Sequence, residues 1–371
     1  MNELSDFSSM ELSLLQHAYS NGIPINGSLE LLPLCNMDCS MCYVRLSREA
    51  MEQVGQLRTI DEWLMLAGQM RSAGVLFLLL TGGEPLLYPN FRDLYLELKK
   101  LGIILTINTN GTLIDKSWAQ FFGAHKPRRI NISLYGSNNQ TYKTLCHYSD
   151  GYDKVINAIL LLRENNVDVK INCSAIQTNK QDIDKILDIC SSLRVPVHVD
   201  SYMYPATRER KADYPIQSRL TPKDAAAIWH KSLKAEMDES QYCLYRESLL
   251  KQVKQRQNIV PDTTDNTMQC MAGSCSFTIN WQGCMRPCVM LDSPSVPIFD
   301  SSFSEGWTQL RQEMARISLC NDCTACAYRP LCHICAASAL YESGSHQGKS
   351  EYLCDLAIES YRQLKGNYQN D

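Results

Sequence analysis

From residue 27 to 205, short apolar or β-branched runs alternate with longer amphipathic stretches. The runs are "SLELLPL" (28–34), "VLFLLL" (75–80), "IILTIN" (103–108), "INISLY" (130–135), "VDVKINCSA" (167–175) and "VPVHVDSY" (195–202). Between them the spacing predicts helices. "TIDEWLMLAGQMRSAG" opens on a capping box, Thr59 with Glu62, and closes on Gly74. "FRDLYLELKKLG" closes on Gly102, and "GYDKVINAILLLRENN" and "NKQDIDKILDICSSL" follow. Six such repeats predict an α/β fold with a parallel sheet and right-handed crossovers. Near-continuous apolar runs predict strands buried on both faces. An open doubly wound sheet shares this pattern with a barrel, and periodicity does not choose between them. No G-x-G-x-x-G follows any of the strands, so the dinucleotide fingerprint is absent.

Outside this region the periodicity weakens. Residues 1–26 read as an N-terminal helical extension. "TPKDAAAIWHKSLKAEM" is a helix with Thr221 as N-cap and Pro222 at its first position, inside a mostly helical connection over 206–265. Residues 266–371 form a cysteine-dense tail whose order is expected to come from metal.

Composition narrows the class. With 371 residues, 44% hydrophobic, 20% charged and a net charge of −4, the chain is an ordinary globular protein without a nucleic-acid or membrane footprint. "MNELSDFSSMELSLLQH" lacks the basic-then-apolar build of a signal peptide, and "VLFLLL" is too short for a membrane span. A cytoplasmic location is expected. Cysteine is the outlier: there are 17, ten of them between Cys270 and Cys354. A reducing compartment disfavours disulfides, so such clustering points to metal or catalysis.

The chemistry-bearing residues fall at carboxyl ends of predicted strands, the edge where parallel α/β folds build sites. "CNMDCSMCY" (35–43) follows the first run and "TGGEP" (81–85) the second. "NTNG" (108–111) closes the third, Ser133 and Tyr135 end the fourth, Asn172 and Ser174 lie late in the fifth, and Asp200 to Tyr204 finish the sixth. Three thiolates at Cys35, Cys39 and Cys42 suit zinc or an iron–sulfur cluster. A structural zinc would close its shell with a fourth ligand nearby, and none follows Cys42 until His125 or Cys146. A [4Fe–4S] cluster on three cysteines keeps one iron open.

The Cys-x3-Cys-x2-Cys loop followed by "GGEP" resembles the signature of radical S-adenosylmethionine (SAM) enzymes. The resemblance spans 27–205 and implies a partial (β/α)6 TIM-like barrel with a small cysteine-rich C-terminal domain. It also implies that SAM chelates the open iron and is cleaved to a 5′-deoxyadenosyl radical that takes a substrate hydrogen. Gly82 and Gly83 would let backbone approach the ligand, backbone carbonyls with Glu84 would accept from the SAM ammonium, and Pro85 would stiffen the turn. Asn108, Asn110 and Ser133 offer hydrogen bonds to ribose or carboxylate, with turn capping the other reading of Asn110. Tyr43 and Met41 could pack near adenine or belong to the core. Lys143 and His147 are the basic candidates for the SAM carboxylate.

The tail resembles the SPASM module of many radical SAM enzymes. Cys270, twelve residues, Gly283, four residues and Cys288 are followed by Cys323-x2-Cys326-x5-Cys332-x2-Cys335 and a final Cys354. The departure from the family pattern is x2 for x3 before Cys335. The resemblance assigns Cys270, Cys275, Cys288 and Cys335 to a first auxiliary cluster, and Cys323, Cys326, Cys332 and Cys354 to a second. Three [4Fe–4S] clusters follow in all, with structural zinc the competing occupant of the tail. "SFTINWQGCMRP" reads as a hairpin turning at Gly283. Cys146, Cys173, Cys190, Cys243, Cys284 and Cys320 are left over. Cys190 and Cys173 are expected in the core; Cys284 and Cys320 could each replace an assigned ligand.

SPASM enzymes mostly act on peptides or proteins. The leading expectation is oxidative modification of a ribosomally made peptide by a thioether or carbon–carbon cross-link, or epimerisation. A reductant such as flavodoxin or ferredoxin would serve it. With 34 residues before Cys35, too few for a leader-binding domain, any leader would be recognised by the tail or by a separate leader-binding protein. A sulfatase-maturing enzyme acting on Cys or Ser of a partner is the alternative, weakened because Val289 rather than Asp follows Cys288. A non-catalytic iron–sulfur electron carrier is the alternative of another class.

Overall fold

A computed structural model describes residues 8–205, 218–257 and 270–366. Six parallel strands carry the first part of the chain: β1 Asn26–Glu30, β2 Phe77–Thr81, β3 Ile104–Thr109, β4 Arg129–Ser133, β5 Val169–Ser174 and β6 Val197–Asp200. Helices α1 Ser9–Asn21, α2 Arg48–Val54, α3 Ile60–Ser72, α4 Phe91–Lys100, α5 Lys116–Ala124, α6 Asn139–Cys146, α7 Gly151–Glu164 and α8 Ile183–Leu193 precede or connect them. The local signals act as expected. Thr59 and Glu62 close a capping box on α3, and Gly74 (φ +105°) and Gly102 (φ +76°) turn the chain out of α3 and α4.

The strand order decides what periodicity left open. β6-β5-β4-β3-β2-β1 runs in one direction without reversal, whereas a doubly wound sheet changes direction at a switch point. The sheet is therefore a singly wound, unclosed partial barrel, with β6 at its free edge.

The expectation of strands buried on both faces is corrected for β3–β6. Ile107, Ile130, Ile132, Ile171, Val197 and Val199 are buried towards the helices. The alternate positions Thr106, Asn108, Asn131, Ser133, Asn172, Ser174 and His198 are only half-buried, and they are polar. Period-two alternation in a parallel sheet means that the second face lines a polar interior rather than a second apolar layer.

The tail continues the same sheet. After α9 Pro222–Glu236 and α10 Glu239–Arg256 come β7 Ser276–Ile279, β8 Cys284–Arg286 and β9 Val296–Pro297, then α11 Phe303–Met314, α12 Asn321–Ala325, α13 Ala336–Ser343 and α14 Glu351–Lys365. β7 pairs parallel with β1, Asn26 opposite Ser276, and covers the edge that β1 would otherwise present. β7 and β8 form the antiparallel hairpin, turning at Gly283 (φ +86°). A buried hydrogen bond of 2.7 Å joins Ser28 and Thr278 across this seam, and Trp307 Nε1 donates to the Gly22 carbonyl at 2.8 Å. The expected 265/266 boundary lies outside the described residues. Among the described residues, no helix is long and apolar enough to cross a membrane.

Candidate active site

The cysteine loop leaves β1 zipped to the turn after β2. Leu31 donates to the Thr81 carbonyl (2.9 Å), Gly83 to that of Leu32 (2.7 Å) and Glu84 to that of Leu34 (2.9 Å). This close approach explains both glycines. A Cβ at Gly82 would lie 2.4 Å from the Leu32 oxygen, and one at Gly83 2.2 Å from the Leu34 oxygen. The backbone that these glycines admit on this side is that of the loop stem.

Glu84 differs from expectation. It is fully buried and accepts from Thr109 Oγ1 (2.8 Å), the Asn110 amide (2.8 Å) and the Leu86 amide (3.1 Å). Burial pushes its pKa up to about 7 against the pull of these donors. Its carboxylate ties β2 to β3, which leaves the backbone carbonyls of the turn as acceptors for an ammonium. Pro85 starts a short 3-10 turn, Pro85–Leu87.

The loop is held from two sides. Asn110 Nδ2 donates to Asn36 Oδ1 (2.8 Å) and reaches the Cys35 sulfur (3.5 Å), while its Oδ1 accepts from Thr112 Oγ1 (2.7 Å). On the other side Asp38 donates to the Cys146 carbonyl and Ser40 to that of Leu145, both at 3.0 Å. His147 Nδ1 lies 2.7 Å from the Asp38 carbonyl, which can only accept, so the proton sits on Nδ1. This contact gives His147 a role in holding the loop; Lys143 stays exposed on α6. Arg45 pairs with Asp38 at 3.1 Å.

The three thiols suit a cluster. The Met37 amide donates to the Cys35 sulfur (3.4 Å) and the Arg45 amide to that of Cys42 (3.3 Å), the donors that stabilise thiolate ligands. Burial, then the Glu84 carboxylate and the neighbouring Cys39 and Cys42, pushes the free Cys35 thiol up to about 12. A cationic iron centre supplies the charge that would keep such a thiol ionised. Among the described residues no three His, Cys, Asp or Glu side chains close on a single metal ion. Met41 is buried in the core with Met37, and Tyr43 is half-buried beside Cys42.

Several tail thiols neighbour one another. Cys288, pushed up to about 11 by burial, has Cys335 and Cys270 as charged neighbours; Cys275 has Cys270. Cys323, pushed up to about 12, has Cys320, Cys332 and Cys354; Cys332 has Cys354 and Cys326. Cys320 neighbours Cys323 as well. Cys284 stands on β8 opposite Pro297. Cys146, Cys173 and Cys190 are buried in the core and Cys243 is exposed on α10.

Residues 29–190 match the family model described as the radical SAM superfamily. A radical SAM domain therefore spans residues 29–190. The chain is 23% identical over 336 residues to the AdoMet-dependent heme synthase of Methanosarcina barkeri, covering 87% of itself and 94% of that protein. It is 23% identical over 269 residues to the antilisterial bacteriocin subtilosin biosynthesis protein AlbA of Bacillus subtilis, covering 72% of itself and 55% of AlbA. Among solved structures it resembles anSMEcpe with bound AdoMet (TM-score 0.69, 20% identity, 92% of this chain and 98% of that one). Streptococcus suis SuiB bound to precursor peptide SuiA gives a TM-score of 0.64 at 16% identity over 93% of this chain and 80% of that one. These two likenesses speak for the fold.

The radical SAM core also holds polar groups that the sequence reading passed over. Asn131 Nδ2 donates to Asn108 Oδ1 at 2.8 Å, and His198 Nδ1 lies 3.3 Å from Glu236 of α9. The visible signal was the alternation in "RINIS" and "VHVD", which places a polar residue at every second position.

Proposed function

We propose that this chain is a peptide-modifying radical SAM enzyme with a SPASM-type tail. Cys35, Cys39 and Cys42 would hold the SAM-binding [4Fe–4S] cluster, and the turn Gly82–Pro85, with Asn108, Asn110 and Ser133, would position SAM. The cluster and SAM, when bound, supply a 5′-deoxyadenosyl radical able to abstract a substrate hydrogen. The chain's own residues hold the loop rigid and line a polar interior beneath it. Residues 27–205 would form the radical-generating unit and 266–371 the auxiliary one, with one cluster on Cys270, Cys275, Cys288 and Cys335 and another on Cys323, Cys326, Cys332 and Cys354. The observation that carries this reading is the three-thiol loop zipped to the GGEP turn at the mouth of the polar half-barrel. Similarity to AlbA, a bacteriocin biosynthesis protein, supports a peptide substrate. A flavodoxin- or ferredoxin-type reductant, a separate leader-binding protein and a cytoplasmic location belong to the same reading.

A haem-forming reaction is the second reading, favoured by the fuller length match to the heme synthase. The sulfatase-maturing alternative is weaker, since Asp292, the first carboxylate after Cys288, faces Arg286 at 3.5 Å. The test is anaerobic reduction with SAM and a candidate precursor peptide. 5′-Deoxyadenosine formed together with a peptide lighter by a pair of hydrogen atoms supports the cross-linking form of the proposal. Deoxyadenosine formed with a tetrapyrrole and not with peptide overturns it. Iron, sulfide and zinc analysis tests the three clusters, and a zinc-loaded tail would refute the auxiliary assignment.

A further inference from the structure

The segment leaving β6 reaches the tail through two tyrosines, and both end on α13. Tyr204 Oη lies 3.5 Å from the sulfur of Cys335, the residue that caps α13. Tyr202 packs against Tyr204 with ring centroids 4.9 Å apart and planes tilted by 52°, and donates its hydroxyl to Glu342 at 2.9 Å, about two turns further along that helix. Glu342 is fixed in turn by Arg219 at 2.8 Å, a pair whose side chains are 8% and 4% exposed. Arg219 also lies over the Tyr352 ring, 3.9 Å from its centroid. The exit of the barrel's last strand is therefore pinned to α13 at both tyrosines, and Tyr204 cannot drift from the sulfur without breaking this lock.

An iron-bound thiolate carries no proton, so between a phenol and a ligand sulfur the phenol must donate. Hydrogen bonds to cluster sulfurs are one of the levers on reduction potential. An O–H dipole aimed at sulfur favours the more negative, reduced state and moves the potential upward. The neighbouring sulfurs of the same group take backbone donors: Ala272 N–H to Cys270 (3.5 Å), and the Met290 and Leu291 amides to Cys288. Cys335 also takes the Ser338 amide at 3.5 Å. Ser338 Oγ, 3.5 Å from the same sulfur, lies closer to the Cys335 and His333 carbonyls, at 3.2 and 3.3 Å.

We propose that Tyr204 is a positioning residue that donates its phenolic hydrogen to the Cys335 sulfur and so raises the reduction potential of the first auxiliary cluster from the barrel side. This rests on Cys335 as a ligand of that cluster. Substrate contacts that move the β6 exit would be felt at the auxiliary iron through this bond.

The test is a potentiometric EPR series on the anaerobically reconstituted full chain. Tyr204→Phe should move the midpoint of one auxiliary signal to a more negative value at unchanged iron content, while Tyr202→Phe, which loosens the lock but keeps the Tyr204 hydroxyl, should move it by less. An unmoved midpoint in Tyr204→Phe, or an equal shift in both variants, overturns the proposal. Should Tyr204→Phe fail to load iron, a fluorinated tyrosine at 204 keeps the shape and strengthens the donor. Its midpoint should move upward, and no movement is again fatal. A Cys335→Ala chain that keeps the full auxiliary signal would overturn the ligand reading itself, an outcome distinct from failure of the tuning.

Discussion

Asn110 aims its side-chain amide at the Cys35 sulfur, 3.5 Å away, while its backbone N–H is held by Glu84 at 2.8 Å. One residue of the β3 turn thus touches both halves of the site, the cysteine loop and the GGEP turn. Residues 75 positions apart in sequence are joined by a single side chain.

Asn110→Ala removes the bonds to Cys35 and Asn36 and takes from the buried Thr112 amide the Oδ1 it donates to at 2.9 Å. Buried polar groups left without partners cost about 1–3 kcal/mol each. The expected outcome is a lower melting temperature and faster loss of the loop's iron, read by calorimetry and by EPR with SAM present. Asn110→Asp should be worse, because a carboxylate would face a thiolate. Iron retention equal to wild type in both variants would refute a role for Asn110 at the cluster.

Gly83→Ala places a methyl group 2.2 Å from the Leu34 oxygen, and that neighbour is backbone. The loop stem must separate from the turn, so SAM cleavage should fall by orders of magnitude while the global fold largely persists. Gly68→Ala in α3 is the control: nothing lies within 4 Å of its new methyl. Replacing a mid-helix glycine should stabilise by roughly 0.5–1 kcal/mol. Urea unfolding together with deoxyadenosine formation separates the two.

Cys320 neighbours Cys323 but lies outside the proposed ligand set of the second auxiliary cluster. Cys320→Ser is expected to keep the second auxiliary cluster, and Cys323→Ser to lose it, by iron analysis and Mössbauer spectroscopy. If Cys320→Ser loses the cluster while Cys354→Ser keeps it, the two residues exchange places in the assignment. The exposure of Cys354 makes this comparison informative.

His198 is held towards its protonated form by the hydrogen bond to Glu236, with burial opposing and Asp200 and Lys170 also facing it. Its folded pKa lies above the unfolded value, so the stabilisation is complete below the ordinary histidine pKa. It is lost as pH rises through the folded value. Melting temperature should therefore fall between roughly pH 6 and 8 more steeply in wild type than in His198→Gln. Parallel curves would show that the pair contributes nothing.

Much of the site was legible because its signals are local. Cys-x3-Cys-x2-Cys lies within one loop, and capping residues such as Thr59 and Glu62 act within one helical turn. The placement of each motif after an apolar run followed from strand direction alone. The contacts of Gly82, Gly83 and Glu84 were not legible, for the opposite reason. Their partners, Leu32, Leu34, Thr109 and Asn110, belong to neighbouring strands, and no spacing rule reveals whether a glycine makes room for a ligand or for another backbone.

The sequence by itself determined the six βα units and the three-cysteine loop followed by the GGEP turn, because periodicity and short spacing are properties of adjacent residues. Only the tertiary structure decided that the sheet winds in one direction, that β7 welds the tail onto β1, and that Tyr202 and Tyr204 pin the β6 exit to α13. These are contacts between residues far apart in the chain, chosen by which edges and polar groups must be covered once the core has formed.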